Sequence, residues 1–360
     1  MGEQKRIGIL TSGGDCAGLN AIIRAVVNRA VGNYGWDVIG IKGATAGLMC
    51  DPPEIMPLRL HKVESLLTMG GTILGTTNKG DPFAFPMPDG NKIDRSQEII
   101  DNYYKLGLDA LIGIGGDGSL AILRRIAQQG KINLVGIPKT IDNDVSGTDM
   151  AIGFQTAVDI ATESLDRLHF TAASHSRVMI LEVMGRDAGH IALHAGIAGG
   201  AHIILIPEIP YKIESICNQI RDRQANGLNF SIVIVSEAVC TEEGTTIQKL
   251  QQFEQTRLGG IGQYLAEKIA MCSGAETRVT VLGHIQRGGI PSPSDRVLAG
   301  AFGVAAVDLI AAEKFDHLVV WRNRQVESVP ISEAISQYRT VDLQDTLVKT
   351  ARGLGICFGD

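Results

Sequence analysis

Short apolar runs rich in Ile, Val and Leu alternate along this chain with stretches whose apolar residues recur every three or four positions. The first pattern marks buried strands and the second amphipathic helices. Ile7–Leu10, Val38–Ile41, Leu111–Ile114 and Leu134–Ile137 predict strands in the first part of the chain. Val178–Val183, His202–Ile206, Ser231–Val235, Val279–Leu282 and Leu318–Trp321 predict strands in the rest. Helices are predicted from Ala21 to Val31, from Leu120 to Gln128 and from Ser294 to Ala312. Another is predicted from Phe154 to Thr171, where Val158, Ala161, Leu165 and Leu168 form one apolar stripe. Strand, glycine loop and helix in repetition specify parallel sheets covered by helices on both faces. The expected fold class is therefore α/β: two intertwined three-layer α/β/α domains with mainly parallel sheets.

Length agrees with that count, since 360 residues at roughly 150 per domain make two domains. The net charge of -6 argues against nucleic acid as a partner, so any anionic ligand must meet a local cluster of Arg. No apolar stretch has the length of a membrane helix, and the start MGEQKRIGIL lacks a signal-peptide core. Six scattered cysteines with no CxxC pair argue against zinc and against a disulfide framework, so reduced thiols and a cytoplasmic location are expected.

Candidate chemistry gathers at predicted strand ends, where open parallel sheets bind ligands. Three polar loops fall there: Thr11–Asp15, Gly115–Ser119 and Lys139–Asp144. Glycine lets backbone N–H groups approach a phosphate, and the following helix adds the positive end of its dipole. Gly113–Gly118 matches GxGxxG, yet no acidic residue ends the next strand, which disfavours a dinucleotide site. In Thr140-Ile-Asp142-Asn-Asp144, two carboxylates two positions apart suit a general base with an orienting or metal-facing partner, or an Asx-rich turn. Arg177, Arg186, Arg278, His284 and Arg287 occur singly near later strand ends, either as anion ligands or as surface charges.

Together, TSGGDCAGLNAIIR, GIGGDGS, PKTIDND, EVMGRDAGHIA and TVLGHIQRGGIPSPSDR, in this order, resemble the phosphofructokinase family. The resemblance runs from Ile7 to about Ile335 and implies a phosphofructokinase-like fold. It implies a donor domain of residues 1–153 with 286–335, and a sugar-phosphate domain of residues 154–285 with 336–360. The implied reaction moves the γ-phosphoryl of Mg-ATP to the 1-hydroxyl of fructose 6-phosphate, giving fructose 1,6-bisphosphate in glycolysis. Asp142 matches the general base, Thr140 a contact to the transferring group, and Asp144 an orienting carboxylate. Asp117 matches the Mg²⁺ ligand, with Gly118, Ser119 and Gly14 lining the nucleotide phosphates. Met184, Gly185 and Arg186 match the sugar-binding segment, Glu237 a sugar-hydroxyl acceptor, and His284 and Arg287 ligands of the 6-phosphate. Arg177 and Arg278 match arginines supplied by a neighbouring subunit, which implies a homo-oligomer, dimer or tetramer, with active sites shared across an interface.

Three positions depart from a uniform pattern. Gly118 is of the ATP-using type, whereas Lys139 resembles pyrophosphate-using members. An Asp at 118 would set a carboxylate against the nucleotide phosphates, so Gly118 points to ATP, with the pyrophosphate-dependent enzyme as the alternative. Asn78 stands where ATP-using relatives carry Arg, and neighbouring Lys79 can replace the charge but not the bidentate fork.

Overall fold

The computed structural model describes residues 4–250 and 256–360. The chain is mixed α/β and divides into two compact units. The first comprises residues 1–140, 145–155 and 287–338, and the second residues 141–144, 156–286 and 339–360.

The first unit is built on a seven-stranded sheet. Across it run Gln325–Pro330, His317–Arg322, Leu134–Pro138, Ala110–Gly115, Arg6–Thr11, Asp37–Ile41 and Ile55–Leu58. The five inner strands pair in parallel, while the two edge strands pair antiparallel with their neighbours. Both edge strands escape the sequence pattern. Ile55–Leu58 contains Pro57, and Gln325–Pro330 holds only two valines, Val326 and Val329, before its terminal proline. Ile9, Leu10, Ile112, Ile114, Val135 and Ile137 are fully buried, as a sheet covered on both faces requires.

The second unit carries a four-stranded parallel sheet in the order Thr277–Val281, Val178–Val183, Ser231–Ser236, Ile203–Leu205. Its core joins Ile180, Val233, Val235, Ile216, Leu265 and Ile269. Cys217 and Cys272, on the helices Ile213–Ala225 and Ile261–Ser273, face each other within disulfide reach, with Cα atoms 6.2 Å apart. The expectation of scattered, unpaired thiols fails at this pair. The two residues are 55 positions apart in sequence, and only the packing of two helices brings them together.

At one helix start, glycine misled the pattern. The helix predicted from Leu120 begins at Asp117. Glycine is tolerated at Gly118 because first-turn amides have no intrahelical partner in any case, and Asp117 complements the dipole. GGDGS is therefore half loop and half helix start. Among the described residues no helix is long and apolar enough to cross a membrane.

Candidate active site

The first unit gathers its polar loops at the carboxyl ends of neighbouring parallel strands. Ser12–Asp15 follows Arg6–Thr11, and Asp117 opens a helix directly after Ala110–Gly115. The Ser12 amide donates to the Ile114 carbonyl at 2.9 Å, and the Gly13 amide to the Thr77 carbonyl at 3.0 Å. Gly13 has φ +85, and a side chain there would meet Ser119 Oγ at 3.0 Å. A Cβ on Gly14 would lie 2.7 Å from the Arg287 guanidinium. Gly118 faces open space, with nothing within 4 Å of an added Cβ. Asn78 and Lys79 are exposed beside Thr77, whose hydroxyl accepts from the Lys79 amide at 3.1 Å.

Arg287 is expected among the sugar-phosphate ligands. Here it belongs to the first unit, and its guanidinium donates to the Asp15 carbonyl at 3.2 Å. Lys139 is buried, and its ammonium donates to the Gly14 carbonyl at 2.5 Å. Thr140 follows it, its amide bonded to the Ile152 carbonyl at 3.1 Å. Cys16, just beyond the loop, is fully buried; burial pushes its thiol up to about 12, so it is an inert filler.

A magnesium ion bound with phosphates takes only one or two protein carboxylates and keeps several waters. Asp117 offers one half-buried carboxylate on the first turn of its helix, beside open Gly118. Among the described residues no cluster of three or more His, Cys, Asp or Glu side chains forms a metal cage. This donor set fits an ion that arrives with phosphate ligands.

Ile141–Asp144 belongs to the second unit. Asp142, Asn143 and Asp144 are all buried, and Asn143 takes the left-handed φ of 54 that this tight run requires. The Asp144 carboxylate receives Arg186 Nη1 at 3.4 Å, and its carbonyl accepts the Arg339 amide at 2.9 Å. Asp144 therefore orients both Arg186 and its own loop. Arg186 lies past the end of Val178–Val183, with φ 51 and an exposed side chain. Gly185 admits no Cβ, which would sit 2.4 Å from the Ala188 carbonyl and 2.7 Å from Ser236 Oγ.

Glu237 follows the neighbouring strand Ser231–Ser236. Burial, then the nearby Asp142 carboxylate, pushes its carboxyl up to about 7, while the amides of Arg186 and Gly185 donate to it and oppose the shift. Asp142, Asp144, Arg186 and a Glu237 carboxyl poised near neutrality thus meet at one end of this sheet. His284 lies exposed on the short turn Gly283–Arg287. Gln286, which sequence reasoning passed over, is buried on that turn and accepts the Met184 amide at 2.7 Å. Its place between His284 and Arg287 was the available signal.

Arg177 and Arg278 lie elsewhere. Arg177 precedes Val178–Val183, and Met184 follows it. At roughly 3.3 Å per residue, the strand separates Arg177 from Met184 by about 20 Å. Arg278 is the second residue of the adjacent parallel strand Thr277–Val281. Both arginines lie toward the amino ends of the strands, away from the Asp142 end within their own chain.

A family model described as phosphofructokinase matches residues 6–310. A Synechocystis protein named ATP-dependent 6-phosphofructokinase 1 is 72% identical over 360 residues, covering 100% of both chains. A Nostoc protein of the same name is 68% identical over the full length of both. Among solved structures, Saccharomyces cerevisiae phosphofructokinase is 30% identical with a TM-score of 0.78; the match covers 92% of this chain and 45% of the yeast chain. A pyrophosphate-dependent phosphofructokinase from Nitrosospira multiformis superposes with a TM-score of 0.82 at 21% identity, covering 99% of this chain and 93% of the other, a likeness of fold.

Proposed function

The chain belongs to the phosphofructokinase family, and we propose that it uses its first unit to hold the phosphoryl donor and its second to hold fructose 6-phosphate. It is an ATP-dependent 6-phosphofructokinase, a phosphotransferase of glycolysis that converts fructose 6-phosphate to fructose 1,6-bisphosphate. The observation that carries ATP as donor, beside the full-length relatives of that name, is the open space over Gly118.

Catalysis of this kind rests on positioning and on charge stabilisation more than on covalent chemistry. Asp142 takes the proton of the sugar 1-hydroxyl as that oxygen attacks. Asp144 holds Arg186 by its 3.4 Å ion pair, and the guanidinium offsets negative charge on the transferring group. Glu237, ionised, accepts from a sugar hydroxyl, with Met184 and Gly185 shaping that pocket. Thr140, Gly14 and Ser119 offer donors to the phosphates. Asp117 would hold Mg²⁺, which neutralises donor phosphate charge when bound. Arg177 and Arg278 bind the sugar phosphate of a second copy, which makes the working enzyme a homo-oligomer. The cytoplasm, where both substrates occur, is its place of action.

The test is initial rates with fructose 6-phosphate and magnesium, using ATP in one assay and pyrophosphate in the other. Turnover with ATP alone is expected. Turnover with pyrophosphate alone would overturn the donor assignment.

A further inference from the structure

Three consecutive carbonyls of the donor loop are each held by a side chain from a different part of the first unit. Thr76 Oγ1 donates to the Gly13 carbonyl at 2.7 Å, Lys139 Nζ to the Gly14 carbonyl at 2.5 Å, and Arg287 Nη1 to the Asp15 carbonyl at 3.2 Å. The preceding amides, of Ser12 and Gly13, are already engaged by backbone carbonyls. The amides of Gly14 and Asp15 have no protein acceptor among the described residues. A peptide's N–H and C=O point in opposite directions. Fixing the carbonyls of Gly13 and Gly14 therefore fixes the direction of the amides of Gly14 and Asp15. These are the groups left for an anion.

We propose that Lys139 and Thr76 are positioning residues for the phosphoryl donor, which they serve by pinning the loop carbonyls so that its free amides face the phosphates. The inference rests on the reading of the first unit as the donor domain. It gives Lys139 a role different from that of a phosphate ligand: the ammonium is only 5% exposed with its residue and is directed at a carbonyl. A lysine at this position is then compatible with ATP, and the mixed pattern of Gly118 with Lys139 ceases to be contradictory. Thr76 joins a neutral hydroxyl to the same task, which separates pinning from charge.

The experiment compares K139M, T76V and the double variant with the wild-type chain. Dissociation constants are measured for a magnesium complex of a non-hydrolysable ATP analogue and, separately, for fructose 6-phosphate. Each single variant is expected to weaken the nucleotide about tenfold, the upper scale of a single ordinary hydrogen bond. Fructose 6-phosphate binding should stay at the wild-type value. The double variant should lose little more than either single one, because both release the same loop. An unchanged nucleotide affinity in T76V would overturn the proposal, since Lys139 would then act by charge alone. So would losses that multiply in the double variant. Should K139M fail to fold, T76V still decides. A wild-type chain that binds no nucleotide, while binding the sugar phosphate, would overturn the donor-domain reading itself and this inference with it.

Discussion

Arg177 and Glu276 are joined by a 2.8 Å hydrogen bond from Nε to Oε2, and the other oxygen of Glu276 receives Arg278. One carboxylate thus gathers two arginines near the amino ends of adjacent strands, whereas Asp142 belongs to the opposite end of the same unit. If these arginines serve a second copy, R278A and D142S chains should each be nearly inactive alone and should regain activity when mixed and reassembled. Mixed oligomers contain sites that take an intact Asp142 from one chain and an intact Arg278 from another. Rates of the mixture against the sum of the parents decide it, and strict additivity would remove the shared site. Dilution should likewise lower specific activity, and fructose 6-phosphate should oppose that loss.

Asp142 is buried beside Asn143, whose left-handed backbone fixes this short run, and the proposed role of its carboxylate as general base can be tested directly. D142S should lower kcat by a factor of roughly 10² or more while leaving the fructose 6-phosphate KM close to wild type. Retained turnover would assign the base elsewhere.

Glu237 gives a pH signature. Its folded value of about 7 lies above the ordinary 4.5, so between these limits the native chain keeps a proton that the unfolded chain releases. Stability from this group is therefore fully present below about 4.5 and is lost as pH rises toward 7 and beyond. E237Q should show a higher Tm than wild type at pH 8 and a flatter Tm profile across this window. The ionised form is the acceptor for sugar, so the wild-type KM for fructose 6-phosphate should fall as pH rises through about 7, and that of E237Q should stay high and flat. A wild-type KM that does not move with pH would remove Glu237 from the sugar pocket.

Gly118 faces open space, so an added side chain is accommodated without displacing a neighbour. G118D should fold with an unchanged Tm, since an acidic residue suits a helix start. Its KM for Mg-ATP should rise at least about tenfold, the equivalent of 1.4 kcal/mol. An undisturbed KM would mean that position 118 does not face the nucleotide.

Much of this was legible in the sequence because strands buried on both faces leave uninterrupted apolar runs, as in Ile232–Val235. The edges were not, because Ile55–Leu58 and Gln325–Pro330 bury only part of their residues and mimic loops. The candidate site shows the same division. Asp142, Asp144, Arg186 and Glu237 carry charge, and charge at a strand end attracts notice. Thr76 and Gln286 act through single hydrogen bonds to backbone, so nothing in their identity announces a partner 63 residues away at Gly13 or 102 residues away at Met184. The proximity of Cys217 to Cys272 was hidden for the same reason, a pairing created by tertiary packing.

The chain passes between its two units after residues 140, 144, 155, 286 and 338. Neither unit is a continuous polypeptide, and the passage at 140 falls inside the run that carries Thr140 and Asp142. No continuous segment of the chain therefore carries one unit without pieces of the other. Exchange of the first unit as one continuous cassette is closed to this architecture. A change of phosphoryl donor has to arise in place, one side chain at a time, at positions such as 118 and 139.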